Sequence, residues 1–450
     1  MMEERGGEGL NGCTGGVPVS VSLSLAINMN IDDVSTPVVV LRGVESASHG
    51  ALGVLRSLGR LGVPVYAVAC QPRTAAFFSR YCAGKYVCDV ANGDAERSLD
   101  FLLDIGRKIG GRPILVPTDD KALLFCANHG HALREQFSFP AMCPNLIREL
   151  SSKQGMYHLA KKHGVPTPEA AFPKSRQDVL EFISRATFPV MVKGVFASVL
   201  WKSTGEKMFI VHSASELLAK YDAGEDPANP NWMLQEYIPG GDDTVWMLNG
   251  YFDERSECLL AFTGKKIRQY PFHHGSTSLG ICLENETVRK TTADLMKKIG
   301  YKGILDIGYR YDARDGLYKL LDVNPRIGST FRLFVAENGL DVARAMYLDL
   351  TGQPVGTGKP REGRKWFVED QDLISCIHYC REGTLTLNQW IRSFRGVEEA
   401  AFYASDDLYP CVTRAMALCG EAFERFRSRR KDRLIGHPKA TLATSGVASR

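Results

Sequence analysis

The sequence predicts a chain of mixed class, α/β in its first part and α+β afterwards. Two strand–loop–helix–strand rounds open the ordered part, and from about residue 190 strand pairs follow one another with few residues between them. At 450 residues the chain is also long for one hydrophobic core, so two or three domains are expected.

The chain begins on "MMEERGGEG", acidic where a secretory signal would be basic, and residues 1–36 are expected to be a flexible lead-in. Residues 38–42, "VVVLR", suit a buried strand. "ASHGALGVLRSLGRLG" then runs in helical period and "VPVYAVA" returns to strand, completing a βαβ unit. A second round follows with "RSLDFLLDIGRKIG" as helix, "RPILVPT" as strand and "DDKALLFCANHGHAL" as helix. A small parallel α/β domain is therefore expected over 37–145. Its first loop, "RGVESASHG", is not GxGxxG, and the second strand carries no acidic residue, so no dinucleotide site is expected. Thr118, Asp119 and Asp120 stand where such a sheet presents the C-terminal end of a strand, a position for a ligand or for a helix cap.

A boundary is expected near Pro140–Pro144. Beyond it "SSKQGMYHLAKKHGVPTPEA" reads as a helix entered through Ser151 or Ser152 and stopped at Gly164. Strands are expected in "PVMVKGVF", "NWMLQEYI", "TVWMLNGYF" and "CLLAFTGKKIRQY", with helices in "SASELLAKY" and "ETVRKTTADLMKKIG". "YKGILDIGYRYD" and "LYKLLDVN" form a pair around a tight turn at Asp315-Gly316. From 331 "FRLFVAENGLDVARAMYLDLTG" reads as mostly helical. Residues 356–430 mix helices with a strand-like "KWFV", a capped turn accounts for Asp406 and Asp407 before a helix at 410–427, and 431–450 form a flexible tail.

Composition narrows the function classes. A net charge of +4 is too slight to argue for nucleic acid, and the basic run "RFRSRRKDR" reads as a solvated helix end. No stretch of 18 apolar residues predicts a membrane helix. The 12 cysteines show no disulfide rhythm, so buried thiols in a reducing, cytoplasmic setting are expected. Motifs of nucleophilic hydrolases and of P-loop enzymes do not occur.

The residues that could carry chemistry lie between 153 and 326. If "YKLLDVN" is a strand, Leu321 and Val323 share one face and Asp322 and Asn324 the other. Oxygen donors at that spacing suit Mg²⁺. The partner strand offers Asp306 with Arg310 further along the same face, and Arg326 follows the turn at Pro325. A solvated strand face would use the same residue types. Lys193 ends a strongly apolar strand, where its compact charge suits phosphate, and Lys153 is a second candidate. In "MLQEYIPGGDDT", the backbone of Gln235, Glu236, Tyr237 and Ile238 could meet an adenine ring, and Asp242 or Asp243 a ribose. In "GKKIRQYPFHHG", strand alternation would put Lys266 and Arg268 on one face toward phosphate or a carboxylate. His273 and His274 point apart, and either could touch substrate.

Five stretches in order, "SSKQGMYHLAKKHGVPTP", "FPVMVKG", "QEYIPGGDD", "GKKIRQYP" and "LLDVNPRIG", resemble the ATP-grasp superfamily. The nearest likeness is to carboxylate–amine ligases related to the ATP-binding part of carbamoyl-phosphate synthase. The resemblance implies an ATP-grasp domain over 150–355, preceded by a small Rossmann-like domain. It implies ATP phosphates on Lys153 and Lys193, adenine at a hinge containing Glu236, and ribose near Asp243. It further implies Mg²⁺, or Mn²⁺, on Asp322 and Asn324, and Arg326 at the transferred phosphoryl group. Two departures stand out. Gly308 occupies the place of a usual acidic or amide ligand, so Asp306 is expected to substitute. The segment "GVFASVLWKSTGEKM" is glycine-poor for a phosphate-covering loop, which Lys202, Ser203, Thr204 and Gly205 would have to form. The implied reaction joins a small-molecule or short-peptide carboxylate to an amine through an acyl phosphate, with Lys266, Arg268 and Arg326 as the cations at the reacting groups. Bicarbonate phosphorylation and a non-catalytic ATP-binding regulator or scaffold are the alternatives. Neither nucleic acid nor membrane insertion is implied, and relatives often form homodimers.

Overall fold

The computed structural model describes residues 29, 31–44, 49–206 and 208–435. Most of the expected lead-in, four residues of the first loop and the end of the expected tail lie outside the described residues. The described end of the lead-in is docked: the Asp33 N–H donates to Gln353 (3.0 Å) and the Tyr347 hydroxyl to the Thr36 carbonyl (3.2 Å).

Strands β1 (Val38–Arg42), β2 (Val65–Ala69), β3 (Cys82–Val87) and β4 (Ile114–Pro117) form a parallel sheet in the order β3-β2-β1-β4. Every residue of β1 is buried, as a parallel strand covered on both faces requires. The edge strand β3 was not expected. Its "CAGKYV" alternates half-buried and exposed positions with a lysine and a glycine inside, a composition that edge strands tolerate.

A second sheet, β5 (Ala170–Ala171), β6 (Val190–Gly194), β7 (Met208–Val211) and β8 (Trp232–Glu236), is antiparallel in the order β5-β8-β6-β7. Two helices precede it, Pro144–Ser151 and Lys153–Lys162; the second is capped by Ser152 and followed by Gly164 at φ +70°.

The third sheet contains β9 (Val245–Phe252), β10 (Cys258–Tyr270), β11 (Ser276–Cys282), β12 (Gly303–Asp312), β13 (Leu317–Asn324), β14 (Lys365–Phe367) and β15 (Val397–Ala400), in the order β13-β12-β9-β10-β11-β14-β15. Strand β11 was not expected, and the late strands β14 and β15 extend this same sheet. The segment from 331 is helical only over Val342–Leu350, after a short turn at Phe331–Leu333.

Asp406 and Asp407 are not capping residues. Asp407 is buried and accepts from Arg56 Nε (3.0 Å), Ser79 Oγ (2.7 Å) and the Arg80 N–H (2.9 Å). Asp406 accepts from Arg60 Nε (2.9 Å) and the Tyr81 hydroxyl (2.7 Å). The late segment is thereby bound to the first sheet's layer. Val38, Leu55 and Phe77 also share one apolar cluster with Phe331, Tyr347, Trp366 and Phe402.

Candidate active site

The candidate site is built from the second sheet's strand ends and one face of the third sheet. Hairpin β12–β13 supplies its acidic side. Asp306 lies across from Asn324, and Gly308 across from Asp322. The register then shifts between Gly308 and Tyr309, so Leu321 is the extra residue of a bulge. Leu320 and Val323 are consequently the buried pair, not Leu321 and Val323. Asp322 and Asn324 still share a side: Asn324 Nδ2 stands 3.4 Å from an oxygen of each of Asp306 and Asp322. Partial burial and the neighbouring Asp322 push the Asp306 carboxyl up to about 6, against the charges of Arg326 and Lys266.

Asn249 completes this corner, a residue that sequence reasoning missed. It faces Asp306 from β9 and donates to its Oδ1 (3.0 Å), while its own Oδ1 is buried without a partner among the described residues. An asparagine inside the apolar "TVWMLNGYF" was the available signal. Gly328 touches the same carboxylate so closely that a Cβ there would lie 2.5 Å from Asp306 Oδ2. Crowded carboxylates, an amide and an orphaned buried oxygen suit a hard divalent cation. Among the described residues no three His, Cys, Asp or Glu side chains cluster, so phosphate oxygens and water would complete its shell. At Gly308 a Cβ would meet no atom within 4 Å, so the place of the missing ligand is open space.

The cationic side comes from several elements. Lys193 Nζ, at the end of β6, donates to Gln235 Oε1 (2.8 Å), and the charges of Lys153, Asp322 and Arg310 act on it. Burial is the main cause that brings its ammonium down to about 8. Lys266 Nζ donates to the Gly275 carbonyl (2.8 Å) and to Gln269 Oε1 (3.3 Å); burial lowers its pKa against the pull of Asp306 and Asp322. Arg326 donates to Asp120 Oδ1 (2.7 Å) and Asn324 Oδ1 (3.3 Å), so it joins the first sheet's helix to β13. His274 makes no hydrogen bond among the described residues. Burial lowers its pKa, as do the neighbouring charges of His273, Lys193 and Arg310.

Three expectations change. Arg268 does not share a face with Lys266: the register shifts at Ile267 turn it away, and it forms a buried two-point pair with Asp372 (2.8 and 2.8 Å). The backbone of Gln235 is paired on both sides, to β5 and β6, and the Glu236 N–H donates to the Glu169 carbonyl (2.7 Å). The Glu236 carboxylate is held by Arg314 (2.5 Å), Lys319 (3.5 Å) and the Glu169 N–H (3.1 Å). Of the four residues expected at an adenine edge, Tyr237 and Ile238 lie past the strand end, and Asp243 is in the turn Asp242–Thr244. Residues Ala197–Thr204 are a helix, so Lys202, Ser203 and Thr204 do not form the expected phosphate-covering loop, and the Ser203 and Thr204 hydroxyls bond back to the Leu200 carbonyl (3.1 and 2.7 Å).

A small antiparallel sheet ending in Lys193, set against a larger sheet bearing Asp306 and Asp322, matches the ATP-grasp architecture, and this chain has that fold. N5-carboxyaminoimidazole synthetase from Staphylococcus aureus, complexed with ADP, superposes with a TM-score of 0.55 at 11% identity, over 76% of this chain and 83% of that one. L-amino acid ligase from Bacillus licheniformis gives 0.52 at 14% identity, over 74% and 79%. In sequence, the chain is 26% identical over 288 residues to the D-aspartate ligase of Enterococcus faecium (strain Aus0004), covering 60% of this chain and 67% of that one. It is 23% identical over 212 residues to the C-terminal section of the carbamoyl phosphate synthase large chain of Methanocaldococcus jannaschii, 45% of this chain but only 32% of that one. No family model matches.

Proposed function

We propose that the protein is an ADP-forming carboxylate–amine ligase using MgATP. The observation that carries this is the convergence of Lys193, Lys266 and Arg310 with Asp306, Asp322 and Asn324 from separate sheets. The resemblances to D-aspartate ligase and to an L-amino acid ligase support it.

Bound Mg²⁺ supplies neutralisation of polyphosphate charge, and Asp306, Asp322 and Asn324 would hold it. Lys153, Lys193 and Arg310 receive the phosphates, Tyr237 and Ile238 the adenine, and Asp243 the ribose. Lys266 faces the transferred phosphoryl group and Arg326 the acyl phosphate. A substrate carboxylate oxygen attacks the γ-phosphorus and ADP leaves; an amine nitrogen then attacks the acyl carbon, releasing phosphate and a proton. The protein contributes positioning, fixed charge and exclusion of water rather than a covalent nucleophile.

A cavity of about 380 Å³ adjoins Arg326, lined by Thr118, Asp120, Lys121 and Ser329. Its mixed charges suit a zwitterion, and we place an amino-acid substrate there. Among the described residues no helix is long and apolar enough to cross a membrane. The described cysteines are free thiols, which suits a reducing compartment, and we place the protein in the cytoplasm.

The test is ADP release by the purified chain with MgATP over paired carboxylates and amines, amino acids first, with mass detection of the amide. Release that needs both partners supports the reading. Release driven by bicarbonate without an amine overturns it. Tight MgATP binding with no release for any pair selects an ATP-binding regulator, the reading that the missing ligand at Gly308 favours.

A further inference from the structure

The helix Glu369–Arg381 lies outside the stretch that resembles the superfamily, yet one of its faces grips the site. Asp372, Ser375 and Tyr379 follow helical spacing, with Glu382 one turn on. Each holds a different point of the end of β10 and the turn beyond it. Asp372 pairs with Arg268, and Ser375 Oγ donates to the Gln269 carbonyl (2.6 Å). The Tyr379 hydroxyl accepts from the His273 N–H (3.1 Å) and donates to Asp242 Oδ2. Glu382 pairs with His273 Nε2 (2.9 Å), and the His378 ring stacks on Phe272 at 4.5 Å. His273 is held there at φ +64°, a conformation few residues adopt unaided.

Asp242 is the link inward. Gln269 Nε2 donates to its Oδ1 (2.9 Å), and Gln269 Oε1 accepts from Lys266. Both carboxylate oxygens are therefore engaged, Oδ1 by Gln269 with His273 Nδ1 3.5 Å away and Oδ2 by Tyr379. The negative charge of Asp242 nonetheless acts on Lys266, Arg310 and His274. Released from its donors, this carboxylate could turn toward those cations and occupy them in place of phosphate.

We propose that Tyr379 is a positioning residue of the nucleotide site, holding Asp242 so that Lys266 and Arg310 stay available to the polyphosphate. The inference rests on the ATP-site reading above. It makes the helix Glu369–Arg381 part of the enzyme's binding machinery although none of its residues need touch the nucleotide.

The test is calorimetric MgATP binding together with KM and kcat, on the full chain. Tyr379→Phe keeps the ring and removes only the hydroxyl. It is expected to raise Kd and KM for MgATP about tenfold, in line with the loss of a hydrogen bond to a charged group, with kcat much less affected. Adding Asp242→Asn removes the charge that would stray, and the double variant is expected to recover most of the lost affinity. Asp242→Asn alone, a second probe independent of the tyrosine, is expected to tighten MgATP binding. Unchanged affinity in Tyr379→Phe overturns the proposal, as does a double variant no better than the single one, or an Asp242→Asn chain that binds more weakly. A wild-type chain that binds no MgATP overturns the ATP-site reading itself, and the inference with it.

Discussion

Arg268 and Lys266 stand two residues apart on β10 and do different work. Arg268 is 3% exposed and Asp372 1% exposed, so removing one partner strands a charge in the interior. Arg268→Ala is expected to cost about 3–5 kcal/mol in a denaturant titration. Lys193 carries a test of the phosphate site. Its ammonium, brought down to about 8 by burial, is the form that would meet phosphate in the proposed site. Below that pH the free protein holds the proton. As pH rises through about 8 the charge is lost, so kcat/KM for MgATP is expected to fall on the alkaline side, approaching about tenfold per pH unit. Lys193→Arg, which keeps its charge there, is expected to abolish that fall. Asp322 is exposed and contributes little packing. Asp322→Ala is therefore expected to abolish ATP turnover while leaving the thermal midpoint within a few degrees; near-wild-type, Mg²⁺-dependent turnover would remove it from the metal set.

At the level of elements, the hairpin β12–β13 combines a readable and an unreadable part. The alternation of "LLDVN" was enough to pair Asp322 with Asn324, because side-chain period 2 is a property of any strand. The bulge at Leu321 was not legible: one extra residue leaves no mark in composition, and it exchanged Leu321 for Leu320 in the core. The same limit hid the separation of Lys266 from Arg268. Partners from distant segments, such as Asn249 for Asp306 or Asp407 for Arg56, depend on tertiary approach that no local pattern encodes. The helix Ala197–Thr204 was obscured differently, since a loop was expected there by resemblance while Leu200 of "ASVLWKST" is buried in the second sheet's apolar cluster, a tertiary contact. The open space at Gly308 gives this hairpin its own test. Gly308→Glu adds a carboxylate across from Asp322 without a Cβ clash, and it is expected to lower the half-saturating Mg²⁺ concentration severalfold in the ADP-release assay. An unchanged Mg²⁺ requirement would show that the metal is held elsewhere.

Across the whole molecule, the first sheet and the late segment cannot be treated as attachments to an ATP-binding core. They share an apolar cluster, the buried Arg56–Asp407 pair fastens them at 3.0 Å, and β14 covers the edge of β11. A chain ending at 360 is expected to be insoluble or unfolded, with an open strand edge and Arg56 left without its carboxylate; a soluble, cooperatively melting truncation would refute this. The second sheet is tied to the third by ionic contacts from Glu236 to Arg314 and Lys319, across the segment that would receive adenine.

The bulge at Ile267 has a bearing on descent. One added residue lets a single strand send Lys266 into the cleft and Arg268 out to the helix Glu369–Arg381. A regular ladder that kept Ile267 and set it opposite Leu279 would restore plain alternation and turn that arginine inward. In relatives with an arginine two residues after the lysine, this bulge and an acidic partner for the arginine should therefore be gained or lost together.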